Sequence, residues 1–171
     1  MPEADQLQLL HKRHAKYFQR CLAVLPSSCV SYDTQRVTIA FFAISGLDLL
    51  DKLDLIQDVK SEIVDWLYKC LVISEDSETQ HWSGFRGSTA LKLGDELGPS
   101  HVHDHGHIAM TYTALASLII LGDNLSRVNR PALLAGVRAL QLEDGSFKAA
   151  LEGGENDMRF LYCAALSLIH I

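Results

Sequence analysis

The sequence has no long uncharged apolar run, no excess of basic residues and no closely spaced pair of cysteines. Its longest nearly uncharged apolar stretch, Ile108 to Leu121, has 14 residues, which is too short for a helix that spans a bilayer. The net charge is −6, so a nucleic-acid-binding surface held by phosphate contacts is not expected. Cys21, Cys29, Cys70 and Cys163 lie far apart, which is typical of reduced thiols in the cytosol.

The motifs of several common enzyme classes are also missing. The sequence contains no nucleophile triad, no glycine-rich phosphate loop and no H-E-x-x-H zinc motif. The first residues, Pro2 to Asp5, carry acid and lack the basic-then-apolar pattern of a secretory signal. We therefore expect a cytoplasmic, globular protein with no transmembrane segment and no nucleic-acid partner.

Apolar residues recur at three- and four-residue steps, the period of an α-helix, along most of the chain. No segment alternates with period two for long, so we predict an all-α fold in a single domain, residues 1–171. Pro26 and Gly122 mark helix ends, Pro131 suits a first helical turn, and Asn156 can cap the last helix. The predicted helices span about 7–25, 34–50, 56–71, 107–121, 131–141 and 157–171.

The predicted helices are of two alternating types. The second, fourth and sixth are apolar on nearly all sides and are expected to be buried all round, whereas the others are amphipathic. Tyr112–Leu118 matches Tyr162–Leu168 in Tyr, Ala, Ser and Leu at a constant offset of 50, a spacing typical of stacked repeats. The alternation of the two helix types, together with the repeat, predicts a ring of helical hairpins.

Ile171 follows an apolar helix without a stop signal, so we expect either a partner at that edge or a longer parent protein.

The segment His101 to His107 contains four histidines and Asp104. Imidazole and carboxylate groups suit zinc, but zinc sites normally take their ligands from separate elements and fix them with neighbouring groups. We therefore favour a solvated loop over a metal-binding module. His107 differs from the other histidines because it opens a helix that is predicted to be buried.

Arg159 lies within an otherwise apolar helix and must find an anion or a set of carbonyl groups there, because arginine does not lose its charge. Its spacing favours an internal ion pair with Glu155 or Asp157. The alternative is recognition of a carboxylate or phosphate inside an apolar cavity.

Several longer strings resemble the β subunits of protein prenyltransferases. They match the first half of such a subunit, and the similarity is greatest to the branch known as type I geranylgeranyltransferases. The resemblance implies part of an α–α barrel, or toroid, of helical hairpins like that of the terpenoid cyclases. The strings are Arg36–Phe42, Gly84–Ser88, Gly106–Thr113, Leu121–Asp123, Gln141–Phe147 and Glu155–Cys163.

The resemblance implies pockets for both substrates. In the farnesyl-transferring branch a tryptophan at the position of Thr38 shortens the lipid pocket, so Thr38 implies geranylgeranyl diphosphate as the donor. Thr38 and Phe42 would line the pocket for the second aliphatic residue of the acceptor protein's C-terminal CaaX box. Thr38, His107, Ala109 and Phe160 would shape the pocket for its last residue, which is usually leucine.

The resemblance also gives Arg159 a role. Together with His107 and Glu155 it would hold a water molecule on the terminal carboxylate of the CaaX box. Arg159 and Tyr162 would also pack against the isoprenoid chain.

By the same resemblance, the zinc ligands and the basic residues that hold the diphosphate lie in the second half of the family's subunit. We therefore expect no catalytic and no zinc-binding residue in this chain, and zinc only in the parent enzyme. The implied function is transfer of geranylgeranyl to the cysteine of a CaaX (CaaL) box as a thioether. Its implied partners are a prenyltransferase α subunit and CaaX-box proteins such as small GTPases. The alternative is a catalytically inactive short form that binds the α subunit or lipid without turnover.

Overall fold

The computed structural model describes residues 9–74, 76, 78–92, 104–153 and 155–171. That part of the chain contains six α-helices and four short 3₁₀ segments, which confirms the all-α prediction. None of the described helices is long and apolar enough to cross a membrane. The α-helices are α1 (His11–Ala23), α2 (Arg36–Leu49), α3 (Lys60–Lys69), α4 (Ile108–Ile120), α5 (Arg130–Ala139) and α6 (Met158–His170). The 3₁₀ segments are Ser27–Gln35, Leu53–Val59, Gln80–Trp82 and Thr89–Leu91.

Helices α2, α4 and α6 lie side by side, with α4 in the middle. Each carries a nearly fully buried alanine, namely Ala43, Ala114 and Ala164. Small side chains at these contacts let neighbouring helices approach closely. Helix α1 packs on α2, and α5 packs on the 3₁₀ segment Gln80–Trp82. The predicted division into inner and outer helices therefore agrees with the packing of the described residues.

One part of the burial prediction is wrong. Helices α2 and α6 are not buried on all sides, because no other described element covers one of their faces. Phe42, Leu49, Tyr162 and Ile169 are all exposed there, Leu49 by 86%. The apolar character of these helices on every side thus leaves a broad apolar surface on this structure.

Local signals decide where several elements begin and end. Asn129 accepts a hydrogen bond from the Ala132 N–H at the start of α5, next to Pro131, as expected for a helix start. Gly122 has a φ of +76° directly after α4, which confirms the predicted stop. The prediction that Asn156 caps α6 is wrong. Asp157 caps this helix, because its carboxylate accepts from the Arg159 N–H at 2.8 Å.

Two very short strands are a feature that the sequence does not predict. Strand β1 (Leu71–Val72) pairs antiparallel with β2 (Gly84–Phe85), with Leu71 opposite Phe85. Two residues are too few to show the alternation by which strands are recognised. The pair connects the end of α3 to the segment that precedes α4.

Candidate binding site

The predicted site residues lie in the N-terminal halves of α2, α4 and α6 or just before these helices. Because these helices pack side by side, three stretches that are far apart in the sequence meet at one end of the helix layer. Ala109 is half-buried in the first turn of α4, next to His107. The predicted residues are Thr38, Phe42, His107, Ala109, Glu155, Arg159, Phe160 and Tyr162.

A row of aromatic rings crosses the three helices. The ring of Tyr112 lies edge-to-face between Phe41, with centroids 5.4 Å apart, and Tyr162, with centroids 5.5 Å apart. Phe42 continues the row at 5.5 Å from Phe41. These distances are typical of favourable aromatic pairs. Phe42 and Tyr162 are 64% and 56% exposed, so the row, Phe42–Phe41–Tyr112–Tyr162, presents aromatic surface at its two ends.

Two members of this aromatic row, Phe41 and Tyr112, were not among the predicted site residues. The repeat aligns Tyr112 with Tyr162, and extending it to α2 places Phe41 at the same position. The repeat, once extended to α2, is therefore the sequence signal that identifies both residues as members of the row. Burial and a hydrogen bond with Tyr162 raise the pKa of Tyr112 to about 12, so its phenol is neutral at physiological pH.

Thr38 lies in the first turn of α2 and contacts α4. Its hydroxyl donates a hydrogen bond to the sulfur of Met110 at 3.1 Å. A thioether is a weak acceptor, but this contact gives a hydroxyl among apolar groups a partner. Met110 is buried, so the bond ties the first turn of α2 to α4. The sequence does not indicate that Met110 contacts Thr38, because the two residues are 72 positions apart.

His107 caps the start of α4. Its Nδ1 accepts a hydrogen bond from the Ala109 N–H at 3.2 Å, and its ring lies edge-to-face against Phe160, with centroids 6.2 Å apart. Burial, helped by the neighbouring His105, lowers the pKa of His107, while Glu155 opposes this effect. The imidazole is therefore neutral at physiological pH and carries its proton on Nε2, where it can donate to a ligand.

Arg159 forms an internal ion pair with both predicted carboxylates. Its Nη2 lies 2.6 Å from Asp157 Oδ2 and 3.2 Å from Glu155 Oε2, and its Nε donates to Asp157 at 3.0 Å. The hydrogen bonds to Asp157 raise the pKa of Arg159 and lower that of Asp157. The arginine side chain is 71% exposed, so it is not buried in an apolar cavity here. His107 and Arg159 both lie against the Phe160 ring, with the guanidinium carbon 5.3 Å from its centroid, so the cluster His107–Glu155–Arg159 combines a neutral donor, a carboxylate and a cation around this ring.

The described residues do not fit a zinc ion. No group of three or more His, Cys, Asp or Glu side chains comes together in the ranges that the structure describes. Burial raises the pKa of Cys70 to about 12 and also raises that of Cys163, so neither thiol is disposed to bind metal as a thiolate. His101 and His103 of the histidine-rich segment lie outside the described residues. We assign no metal-dependent step to the residues that the structure describes.

Comparison with known proteins agrees with the fold. The family model of the prenyltransferase α–α toroid domain matches residues 9–171. The chain is 33% identical over 156 residues to the geranylgeranyl transferase type-1 subunit beta of Arabidopsis thaliana, covering 90% of this chain and 41% of that protein. It is 35% identical over 170 residues to the protein of the same name from Dictyostelium discoideum, covering 91% and 48%.

A solved structure shows the same fold. It is the Candida albicans protein geranylgeranyltransferase-I complexed with GGPP, with a TM-score of 0.75 and 24% identity. The match covers 93% of this chain and 45% of that chain. The chain thus spans less than half the length of these relatives.

Proposed function

The chain belongs to the prenyltransferase α–α toroid family, and on that premise we propose that it supplies substrate-binding surface of a protein geranylgeranyltransferase type I β subunit. The aromatic row would bind the geranylgeranyl chain of geranylgeranyl diphosphate. The cluster His107–Glu155–Arg159 would bind the C-terminal carboxylate of the acceptor protein. The aromatic row is the observation that carries this proposal.

The aromatic row suits a polyisoprenoid for two reasons. Its rings offer large apolar surface that needs no hydrogen-bonding partner, and the neutral phenol of Tyr112 adds no charge. A geranylgeranyl chain is long, flexible and without polar atoms, so its affinity depends on the apolar area that it covers. Tyr162 carries one exposed end of the row, where we place the lipid. Phe42 carries the other end, where the second aliphatic residue of the CaaX box would pack.

The polar cluster suits a carboxylate bound through water. Neutral His107 offers its Nε2–H, and Arg159 offers guanidinium N–H donors in addition to those that bind Asp157 and Glu155. Glu155 already binds Arg159 at 3.2 Å, so a water molecule shared with His107 would let the incoming carboxylate join the cluster without displacing it. Ala109 and Phe160, on the two helix starts beside His107, would contact the last side chain of the CaaX box.

The reaction of the parent enzyme would join the acceptor cysteine's sulfur to the first carbon of the lipid as a thioether, with diphosphate leaving. We propose a prenyltransferase α subunit as the partner and CaaX-box proteins, such as small GTPases, as acceptors. All four cysteines of this chain are unpaired, which supports a reducing compartment such as the cytoplasm. Zinc would serve the parent enzyme through ligands other than those described here.

We expect Thr38→Trp to change which lipid binds. The indole is much larger than the threonine that contacts Met110, so we expect it to shorten the lipid pocket, and the affinity for a 20-carbon diphosphate should fall about tenfold relative to a 15-carbon diphosphate. Titration of the purified chain with fluorescent analogues of the two lipids measures the ratio of the two affinities. Thr38→Val is the matched control, because it loses the hydrogen bond to sulfur but keeps the size, and its ratio should stay at the wild-type value. If the wild-type chain binds neither lipid analogue, the proposed function is contradicted.

A second candidate is a non-catalytic form that binds the α subunit or lipid without turnover. The chain spans less than half the length of its relatives, and its described residues hold no group of three metal-binding side chains. The apolar faces of α2 and α6 that no described element covers would give such a form its binding surface.

We expect no lipid transfer from the purified chain mixed with a prenyltransferase α subunit. The measurement is incorporation of labelled geranylgeranyl into a peptide ending in a CaaL box, in the presence of zinc. A full-length relative with the same α subunit is the positive control. Turnover by the chain would contradict this expectation and show that it is an active enzyme by itself.

A further inference from the structure

A fully buried ion pair lies next to the site but belongs to neither the aromatic row nor the polar cluster. Arg86 Nε is 3.2 Å from Asp104 Oδ1, and each side chain is only 1% exposed. Removing two charges from water is costly, and a buried ion pair often stabilises a protein no more than apolar side chains of similar size. Stability alone is therefore a weak explanation of this pair.

Arg86 is held firmly by its own backbone. It directly follows β2, and its N–H donates to the Cys70 carbonyl at 2.9 Å. Its neighbour Phe85 pairs with Leu71 of β1. The guanidinium thus extends from a backbone that is fastened to the end of α3.

Asp104 belongs to the segment 104–107 that leads into α4, and this segment runs along β2. Its glycine, Gly106, donates from its N–H to the Trp82 carbonyl at 2.8 Å, and His107 donates to the Phe85 carbonyl at 3.0 Å. A Cβ on Gly106 would lie 2.5 Å from the Cα of Gly84, so the two backbones touch. The ion pair continues this series of contacts back to the first residue of the segment.

We propose that Arg86 and Asp104 form a positioning pair for His107. By fixing residues 104–107 along β2, the pair sets the direction in which the His107 imidazole is presented at the start of α4. The inference rests on the proposed function, in which His107 takes part in binding the acceptor's carboxylate. A displacement of about 1 Å at such a site is enough to cost a large factor in affinity or rate.

The test separates positioning from stability. Asp104→Asn leaves the buried guanidinium of Arg86 without its countercharge, so that variant is expected to unfold easily. The double variant Arg86→Met/Asp104→Leu replaces the pair by apolar side chains of similar length, and its folding stability should be close to that of the wild type. If the pair serves only stability, this double variant behaves like the wild type in every other respect.

Two measurements report on His107. The first is NMR titration of its imidazole, assigned with a His107→Asn variant, in which Glu155, His105 and the Phe160 ring are the neighbouring groups. The second is the ratio of affinities for a peptide ending in Cys-Ala-Ala-Leu with a free carboxylate and for its C-terminal amide. In the double variant we expect the pKa of His107 to move towards its ordinary value. The preference for the free carboxylate should fall on the order of tenfold.

Tyr68→Phe is the control, because it removes the hydrogen bond from the Tyr68 hydroxyl to Asp123 at 2.6 Å. That bond lies at the far end of α4, about 20 Å from His107 by the length of the helix, so both readouts should stay at their wild-type values. A folded double variant with wild-type titration and wild-type preference would overturn the inference. If the wild type itself shows no preference for the free carboxylate, the proposed function fails. The His107 titration then decides alone whether the pair positions this residue.

Discussion

Tyr162→Ala should weaken binding of the geranylgeranyl lipid roughly 30-fold, with little change in folding stability. A tyrosine ring offers ~150–250 Å² of surface, and Tyr162 is more than half exposed. If the lipid covers about 80 Å² of it, about 25 cal/mol per Å² gives roughly 2 kcal/mol, which corresponds to that factor. Titration of the purified chain with a fluorescent geranylgeranyl diphosphate analogue measures the loss.

Tyr162→Phe is the matched variant for this prediction. It keeps the ring that lies 5.5 Å from Tyr112 and removes only the hydroxyl. Its lipid affinity should stay within about twofold of the wild type, because the apolar area is unchanged. Equal affinities of Tyr162→Ala and the wild type would mean that the lipid does not lie on the aromatic row.

The helices could be predicted because their signals are local. Periodicity located all six; Gly122 and Pro131 act at the helix ends through their own backbone geometry, and Asn129 caps α5 with its side chain. The cap of α6 shows where local signals become ambiguous. Asn156 and Asp157 are both good capping residues, and the charge of Arg159, bound at 2.6 Å, favours the aspartate.

The site was predictable only in part, for a different reason. The family resemblance indicates Thr38 and His107 as site residues. Their contacts with Met110 and Phe85 depend on how distant segments pack. No local pattern pairs Arg86 with Asp104, since the two are 18 residues apart and each is unremarkable in its own segment. Contacts across elements therefore had to come from the structure, as did the exposure of Arg159.

Gly136→Ala should destabilise the protein by more than about 3 kcal/mol, although alanine is the better helix former by about 1 kcal/mol. Gly136 lies inside α5, and a Cβ there would be 1.8 Å from the Ser83 carbonyl oxygen and 2.9 Å from the Ser83 carbonyl carbon. Both atoms are backbone, so no side chain can rotate away, and either the helix or the start of β2 has to move. Urea-induced unfolding followed by circular dichroism measures the free energy of unfolding.

Ala135→Gly, at the adjacent position of the same helix, separates helix propensity from this steric effect. It should cost at most about 1 kcal/mol, the ordinary penalty for glycine in a helix. A stabilising effect of Gly136→Ala would show that α5 does not approach Ser83 so closely.

The expected displacement of α5 or of the start of β2 has a functional consequence as well. Ser83 directly precedes β2, and β2 holds the backbone of His107, so a folded Gly136→Ala variant should also show an altered His107 titration.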